Sequence, residues 1–410
     1  MAKGMIVNMK NLKLTKFNVF TILLIPFVWI YELSVVAPIL GSIAGAFPTA
    51  STFQLQLVII MPFFASIPFS IIAGKLAKRH DKKNLVILGL LIYGIAGMLP
   101  YFCNTMPQIL ICRLITGIGV GMVLPLPNAM IAEHFSGTQR ERMLGIATSV
   151  ANIANVLDSI AVGVILTLGW RYPFLCFSVC LVIMLVSMVG LPKFPPKNEP
   201  VAVEEHHVSS KKIPKIAYIL VLFMGLNWLL FAFNITNMAL FMVEQNFATP
   251  WLIGLAICFP GFASIFSGMI FPNFYHKTKN YIAPISIAIY AAGFIAMYFT
   301  YGFGMQTVGN LLIGFGSGML NPYILNLTSQ KVDKVHRDAA YGLVTSGIHI
   351  GYLAAPFVQL AIATISGNET FRFLYGVSAV ILIVATVISV FVAAKIPNQM
   401  AEEMAVDEAK

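Results

Sequence analysis

The chain has 410 residues, of which 58% are hydrophobic and only 10% charged, with a formal charge of +10. Soluble proteins carry roughly 25% charged residues, and no water-soluble core absorbs this much apolar surface. The composition excludes a soluble enzyme or binding module and defines a polytopic membrane protein.

Twelve apolar segments can be drawn, near 17–44, 53–76, 85–103, 107–132, 143–168, 172–191, 216–243, 251–273, 281–301, 304–329, 339–364 and 371–394. A helix needs ~20 residues to cross ~30 Å of hydrocarbon, and these meet that length. The first resembles a cleavable signal, with lysines before it and Ala44-Gly45-Ala46 near its end. Its length and its internal Glu32 and Pro38 make it a first span instead. With the N-terminus inside, 23 of the 26 lysines and arginines fall on the inner side; only Arg171 and Arg372 face out, and Arg113 lies within a span. Both termini are therefore expected in the cytoplasm, and the basic balance reports topology rather than a nucleic-acid partner.

The expected organisation is an N-terminal six-helix bundle (1–191), a cytoplasmic linker (192–215), a C-terminal six-helix bundle (216–397) and a cytoplasmic tail (398–410). The linker is rich in Pro, Glu, His and Lys. His206-His207 within it reads as a solvated pair rather than a metal site, and the five scattered cysteines read as packing thiols. Asn368-Glu369-Thr370 fits a glycosylation acceptor, a weak pattern in a very short loop. No cofactor or metal is expected.

The fourth segment carries C-R-L-I-T-G-I-G-V-G-M-V-L-P-L-P at Cys112–Pro127. At an offset of 197 residues, Gly117, Gly119, Gly121, Met122 and Pro125 fall on Gly314, Gly316, Gly318, Met319 and Pro322. The same offset carries Arg140 onto Arg337, Gly145 onto Gly342, and Thr148-Ser149 onto Thr345-Ser346. So many coincidences indicate an internal duplication. In a membrane protein, a duplication predicts a secondary transporter with its site near the midplane between the repeats.

Six plus six spans, the central loop and the R-x-x-x-G-x-G-x-G stretch resemble the major facilitator superfamily over essentially the whole chain. The resemblance implies twelve transmembrane helices in two pseudo-symmetric six-helix bundles around a central cavity, an all-α membrane fold. It assigns Arg113, Gly117, Gly119 and Gly121 to the family's proton-coupling motif. Gly74–Lys83 resembles its G-x-x-x-D-R-x-G-R-K gating signature, with Lys78 where the family has an acid and Asp81 where it has a glycine. Gly74, Arg79, Asp81, Gly117 and Gly121 are accordingly gating candidates, with Asp81 as a possible substitute for the missing acid. Trp170-Arg171-Tyr172-Pro173-Phe174 resembles W-R-x-x-F at the outer end of span 5. Within the superfamily the chain is most similar to the twelve-span drug:proton antiporters, with Glu32 ahead of Pro38 in span 1. It departs from that branch in lacking G-x-x-x-G-P-x-x-G-G in span 5, where Asn152–Asp158 stand.

Charges at bilayer depth are functional candidates because they are expensive there. Glu32 and Asp158 each lie ~22 Å from the inner face, and Arg113 lies ~21 Å from it, at 1.5 Å per residue. One charge cluster at a common level is thus possible. A carboxyl held between a pairing guanidinium, which favours its charged form, and a water-poor surrounding, which disfavours it, can load and release a proton. The alternative is a salt bridge that merely pins spans 1, 4 and 5 together. Polar stripes at helical spacing supply substrate-binding candidates: Asn152 and Asn155 in span 5, Asn227, Phe231 and Asn234 in span 7, Asn321 in span 10, and His349 and Tyr352 in span 11.

The expected function is transport of a small organic molecule by alternating access, as proton-coupled efflux, with Glu32 and Asp158 as proton-binding acids modulated by Arg113. Its partners are the substrate, protons and the lipid bilayer of a plasma (inner) membrane, and the chain is expected to act as a monomer. Uptake or exchange of an organic anion on Arg113 or His349 is an alternative, and lipid flipping is another. No enzyme motif with a nucleophile and base, a metal-binding helix or a phosphate loop occurs.

Overall fold

A computed structural model describes residues 14–29, 31–77, 79–135, 137–194, 214–246, 249–332 and 337–395. Among these residues every regular element is helical. Nine helical stretches are long and apolar enough to cross a membrane, and a bent pair at the N-terminal end supplies a tenth. A 17-residue apolar helix, Ile282–Tyr298, and the more polar Phe303–Lys331 complete twelve segments close to the positions read from hydropathy.

The chain falls into two compact units, one comprising 1–205 with 249–255 and the other 206–248 with 256–410. In the first, span 1 is broken rather than continuous. It consists of α1 (Lys16–Leu24), α2 (Tyr31–Val36) and α3 (Leu40–Ala46), separated by 3-10 turns at Ile25–Val28 and Ala37–Ile39. Both breaks contain a proline, Pro26 and Pro38, whose missing N–H cannot continue the α ladder. The two long parts meet at a bend of 43°. Capping boxes open the flanking helices: Thr15 with Asn18 starts α1, and Ser51 with Gln54 starts α4 (Thr52–Leu76). Next come α5 (Lys82–Met98), α6 (Met106–Val123) and α7 (Leu126–His134); the last two share one span interrupted near Pro125. Finally α8 (Gly137–Ile165) and α9 (Ser178–Gly190) close the unit.

Close packing of α6 explains its glycines. A Cβ at Gly117 would land on the carbonyl of Pro62, and one at Gly121 would lie 2.5 Å from the Ser66 carbonyl, both on α4. Gly119 faces the backbone of Tyr93 on α5, where a Cβ would come within 2.5 Å of the amide nitrogen. Only glycine lets α6 approach both neighbours at once.

The second unit contains α10 (Lys215–Glu244), α11 (Pro250–Thr278) from residue 256 on, α12 (Ile282–Tyr298), α13 (Phe303–Lys331), α14 (Arg337–Ser366) and α15 (Phe371–Lys395). It repeats the arrangement contact for contact, with the α11 partners one residue off the 197-residue offset. Gly314 meets the Pro260 carbonyl, Gly316 meets Ser286 and Tyr290, and Gly318 meets Ser264 and Ser267. Tyr290 and Tyr93 are related by the same 197-residue offset, and each sends its hydroxyl to a backbone carbonyl of the first span of its unit. Tyr93 donates to Val28 at 3.1 Å and Tyr290 to Asn227 at 3.2 Å. The duplication read from glycines is thus a duplication of helix contacts.

Candidate functional site

In the first unit the broken span and a proline on α4 together build a charged site. Pro62 has no N–H, so the carbonyl of Val58, four residues earlier, loses its usual helical donor. Arg113 Nε donates to that carbonyl at 2.9 Å. Pro38 likewise offers no backbone N–H to the Ser34 carbonyl, and Ser159 Oγ on α8 lies 3.5 Å from that oxygen. Arg113 is fully buried, and its Nη2 forms an ion pair with Oε2 of Glu32, which is only 3% exposed. The Phe177 ring covers the guanidinium, 5.5 Å from its central carbon. The remaining terminal nitrogen of Arg113 and the other oxygen of Glu32 have no hydrogen-bond partner among the described protein atoms.

Asp158, on α8, is buried, and among the described residues no ion pair joins it to Arg113. Its neighbours are the hydroxyls of Tyr31 and Ser34 on α2. Its Oδ2 has no protein partner among the described residues. Of the two acids predicted to compete for Arg113, Glu32 holds it and Asp158 is held by hydroxyls. Phe177 bridges the two groups, since it lies against Arg113 and also makes an edge contact with Tyr31 at 5.5 Å.

The second unit has a neutral counterpart. The 197-residue offset carries Arg113 onto Asn310, which is fully buried on α13. Asn234, on the first span of this unit, donates Nδ2 to Asn310 Oδ1 at 2.8 Å. Gln306, one turn before Asn310 on α13, is also fully buried. Deeper on α10, Asn237 and Gln359 exchange reciprocal amide bonds of 2.8 and 3.2 Å. Nearer the other end, Asn227 Nδ2 and Trp228 Nε1 both donate to Asn321 Oδ1, at 3.2 and 3.0 Å. Trp228 also packs on Phe231 at 5.2 Å and on Tyr352 at 5.4 Å. The structure therefore joins five of the proposed substrate residues into two groups: Asn227, Phe231, Asn321 and Tyr352 around Trp228, and Asn234 with Asn310. His349 is exposed and Asn155 is half-buried, and neither belongs to these groups. Asn152 belongs to α8, and its side chain lies outside the described set.

Among the gating candidates, Asp81 is occupied inside its own unit. It caps α5 by accepting from Lys83 N at 2.9 Å and also accepts from Phe194 N at 2.9 Å. Beside it Lys82 pairs with Glu133 at 2.7 Å, and Lys83 donates to the Leu191 carbonyl at 2.7 Å. These bonds tie the loop between spans 2 and 3 to the end of span 6 and, through Glu133, to α7 at the end of span 4. Gly74 has open space around it and Arg79 is exposed. Lys78 and His206-His207 lie outside the described residues. Arg171, of the W-R-x-x-F stretch, holds Asn104 Oδ1 at 2.7 Å and the Cys103 carbonyl at 3.2 Å.

Sequence reasoning did not single out Tyr31, Phe177, Gln306, Asn310 or Gln359. For Asn310 the signal was available, because the offset that aligns the glycines also places it opposite Arg113. Tyr31 and Phe177 carry no such mark, since their role depends on which helices touch.

Twelve helical segments among the described residues, in two repeated units with buried charges and amides, define a membrane transporter fold. The model of the Major Facilitator Superfamily matches residues 20–285 and 278–405, and the chain belongs to that family. It is 22% identical over 388 residues to the quinolone resistance protein NorA of Staphylococcus aureus, covering 90% of this chain and 94% of that protein. It is 31% identical over 104 residues to the multidrug transporter protein MdtP of Bacillus subtilis. That match spans 25% of this chain and only 19% of MdtP. Among solved structures, the D-xylose-proton symporter aligns with a TM-score of 0.72 at 16% identity, covering 91% of this chain and 96% of the other. At that identity the likeness shows the fold alone. The chain is a multi-pass transporter, not an enzyme.

Proposed function

We propose that the protein exports a small organic molecule in exchange for protons, from the cytoplasmic side of a plasma membrane and with both termini in the cytoplasm. The observation that carries this reading is the pair of unlike carboxyl sites in unit 1: Glu32 committed to buried Arg113, and Asp158 surrounded by hydroxyls with one oxygen unengaged. A carboxyl without a full counter-charge, at membrane depth, is suited to hold a proton and give it up when its surroundings open to water. Asp158 is the proposed proton carrier. Glu32 and Arg113 neutralise each other and hold span 1 to α4 and α6 through the Val58 carbonyl, and the hydroxyls of Tyr31 and Ser34 orient Asp158. The Trp228, Phe231, Tyr352 and Asn321 group supplies aromatic faces and an amide for a partly apolar substrate. Gly117 and Gly121 allow α4 and α6 to slide in contact as the site is exposed first to one side and then to the other.

The similarity to NorA over nearly its full length supports efflux of drug-like compounds. The commitment of Arg113 to Glu32 argues against an organic-anion site built on Arg113. The test is proton movement in liposomes holding the purified protein, with a pH-sensitive dye inside and cations, neutral drugs and carboxylates supplied separately. Proton flux that appears only with particular cationic or neutral compounds is expected. Substrate flux with no proton movement would sink the reading.

A further inference from the structure

Unit 2 carries a cavity of about 500 Å³ between α12 and α15, lined by Tyr298, Phe299, Phe373, Gly376, Val380 and Ile383 among others, nearly all apolar. It begins at the end of α12 and the start of α15. From Phe373 to Ile383 it follows α15 for ten residues, ~15 Å along a helix axis. That is about half of a ~30 Å hydrocarbon core, the depth of one leaflet. Val380 is 59% exposed and Phe299 55%, so the cavity opens on the outer surface of the unit rather than into its core.

Its shallow end is polar and aromatic. Arg372, next to Phe373, stacks on Tyr301 at 4.4 Å. It donates to the carbonyls of Tyr298 at 3.2 Å and Thr300 at 2.8 Å and to Gln245 Oε1 at 3.1 Å. Glu244 lies within its field. The Arg372 hydrogen bonds take three of the five guanidinium N–H donors, and a planar guanidinium matches a phosphate with paired hydrogen bonds. Tyr298, Phe299 and Tyr301 with Arg372 form the kind of aromatic and basic cluster that anchors helix ends at a membrane–water interface.

We propose that this groove is a binding site for one membrane phospholipid, its acyl chain along α15 between α12 and α15 and its phosphate on Arg372. The length of the groove suits one leaflet of chain, and the cation of Arg372, which adjoins the lining residue Phe373 and bonds the carbonyl of the lining residue Tyr298, suits a phosphodiester. Gly376 widens it, since a side chain there would crowd the Tyr298 ring, a Cβ already approaching to 3.0 Å. The site is independent of what the protein transports.

The experiment is native mass spectrometry of the purified full chain in mild detergent, titrated with phosphatidylglycerol or with diacylglycerol of the same acyl chains. The expected result is one retained phosphatidylglycerol, held about tenfold more tightly than diacylglycerol because the latter lacks the charge-assisted bonds. Val380→Trp, on the exposed wall, fills the groove and should abolish retention of that lipid without unfolding the protein. Arg372→Gln should erase the preference for the phosphate. Equal retention by wild type and Val380→Trp would overturn the proposal, as would diacylglycerol binding as well as phosphatidylglycerol. So would dimers that Val380→Trp disperses, because the groove would then be an interface between copies.

Discussion

The two units place their glycines, prolines and tyrosines alike and their charges differently. Gly117 against Pro62 repeats as Gly314 against Pro260, and Tyr93 to Val28 repeats as Tyr290 to Asn227. At the matching polar position, however, unit 1 has Arg113 paired with Glu32 and unit 2 has Asn310 paired with Asn234. Backbone approach leaves no freedom, because any side chain at these glycines collides with a carbonyl. A buried polar position requires only that its hydrogen-bonding groups find partners, so a charged pair and a neutral pair can occupy the same place. The difference suggests a division of labour in which unit 1 handles charge and unit 2 offers neutral polar contacts.

The comparison can be broken most severely at Arg113. Arg113→Met leaves Glu32 buried without its partner, and a loss of about 3–5 kcal/mol is expected, read as a large drop in unfolding temperature in detergent. Adding Glu32→Leu should recover most of that stability. If the double variant unfolds as early as the single one, the pair is not the source of the effect. Glycine substitutions sharpen the symmetric half of the comparison. Gly117→Ala and Gly314→Ala should each cost about 1–3 kcal/mol by forcing helices apart. Markedly unequal costs would mean that the two contacts are not equivalent. In unit 2, Asn310→Leu strands the Asn234 amide and should cost about 1–3 kcal/mol, while transport and its proton dependence persist. Loss of proton dependence in that variant would contradict the division of labour. The smallest effect is expected at Tyr31→Phe, which removes one hydroxyl from Asp158. It should cost no more than about 1 kcal/mol in stability yet displace the pH at half-maximal coupled flux by up to about one unit. An unchanged pH profile would remove Tyr31 from the coupling site.

Much of this was legible before any coordinates. Hydropathy located twelve segments, and the 197-residue offset exposed the repeat, because both depend on residue type at fixed spacing. The charges were legible too: Glu32, Arg113 and Asp158 stand out in apolar runs, and counting 1.5 Å per residue put them near one level. What depth alone left open was which acid takes the arginine. That choice depends on helix rotation and on carbonyls released by Pro38 and Pro62, neither of which a linear pattern reports. Asp81 was legible as an unusual acid in the gating loop, but not its engagement with Phe194 N, which comes from a segment more than a hundred residues away. The breaks in span 1 were implicit in Pro26 and Pro38, yet a hydropathy window averages across them.

The account rests most directly on Asp158, and the measurement is substrate accumulation driven by an imposed pH gradient in liposomes containing Asp158→Asn. Asparagine keeps the shape of the side chain and cannot exchange a proton. The predicted result is loss of gradient-driven accumulation with a wild-type unfolding temperature and retained substrate binding. Accumulation at the wild-type level in that variant would contradict the assignment of Asp158 as the proton carrier.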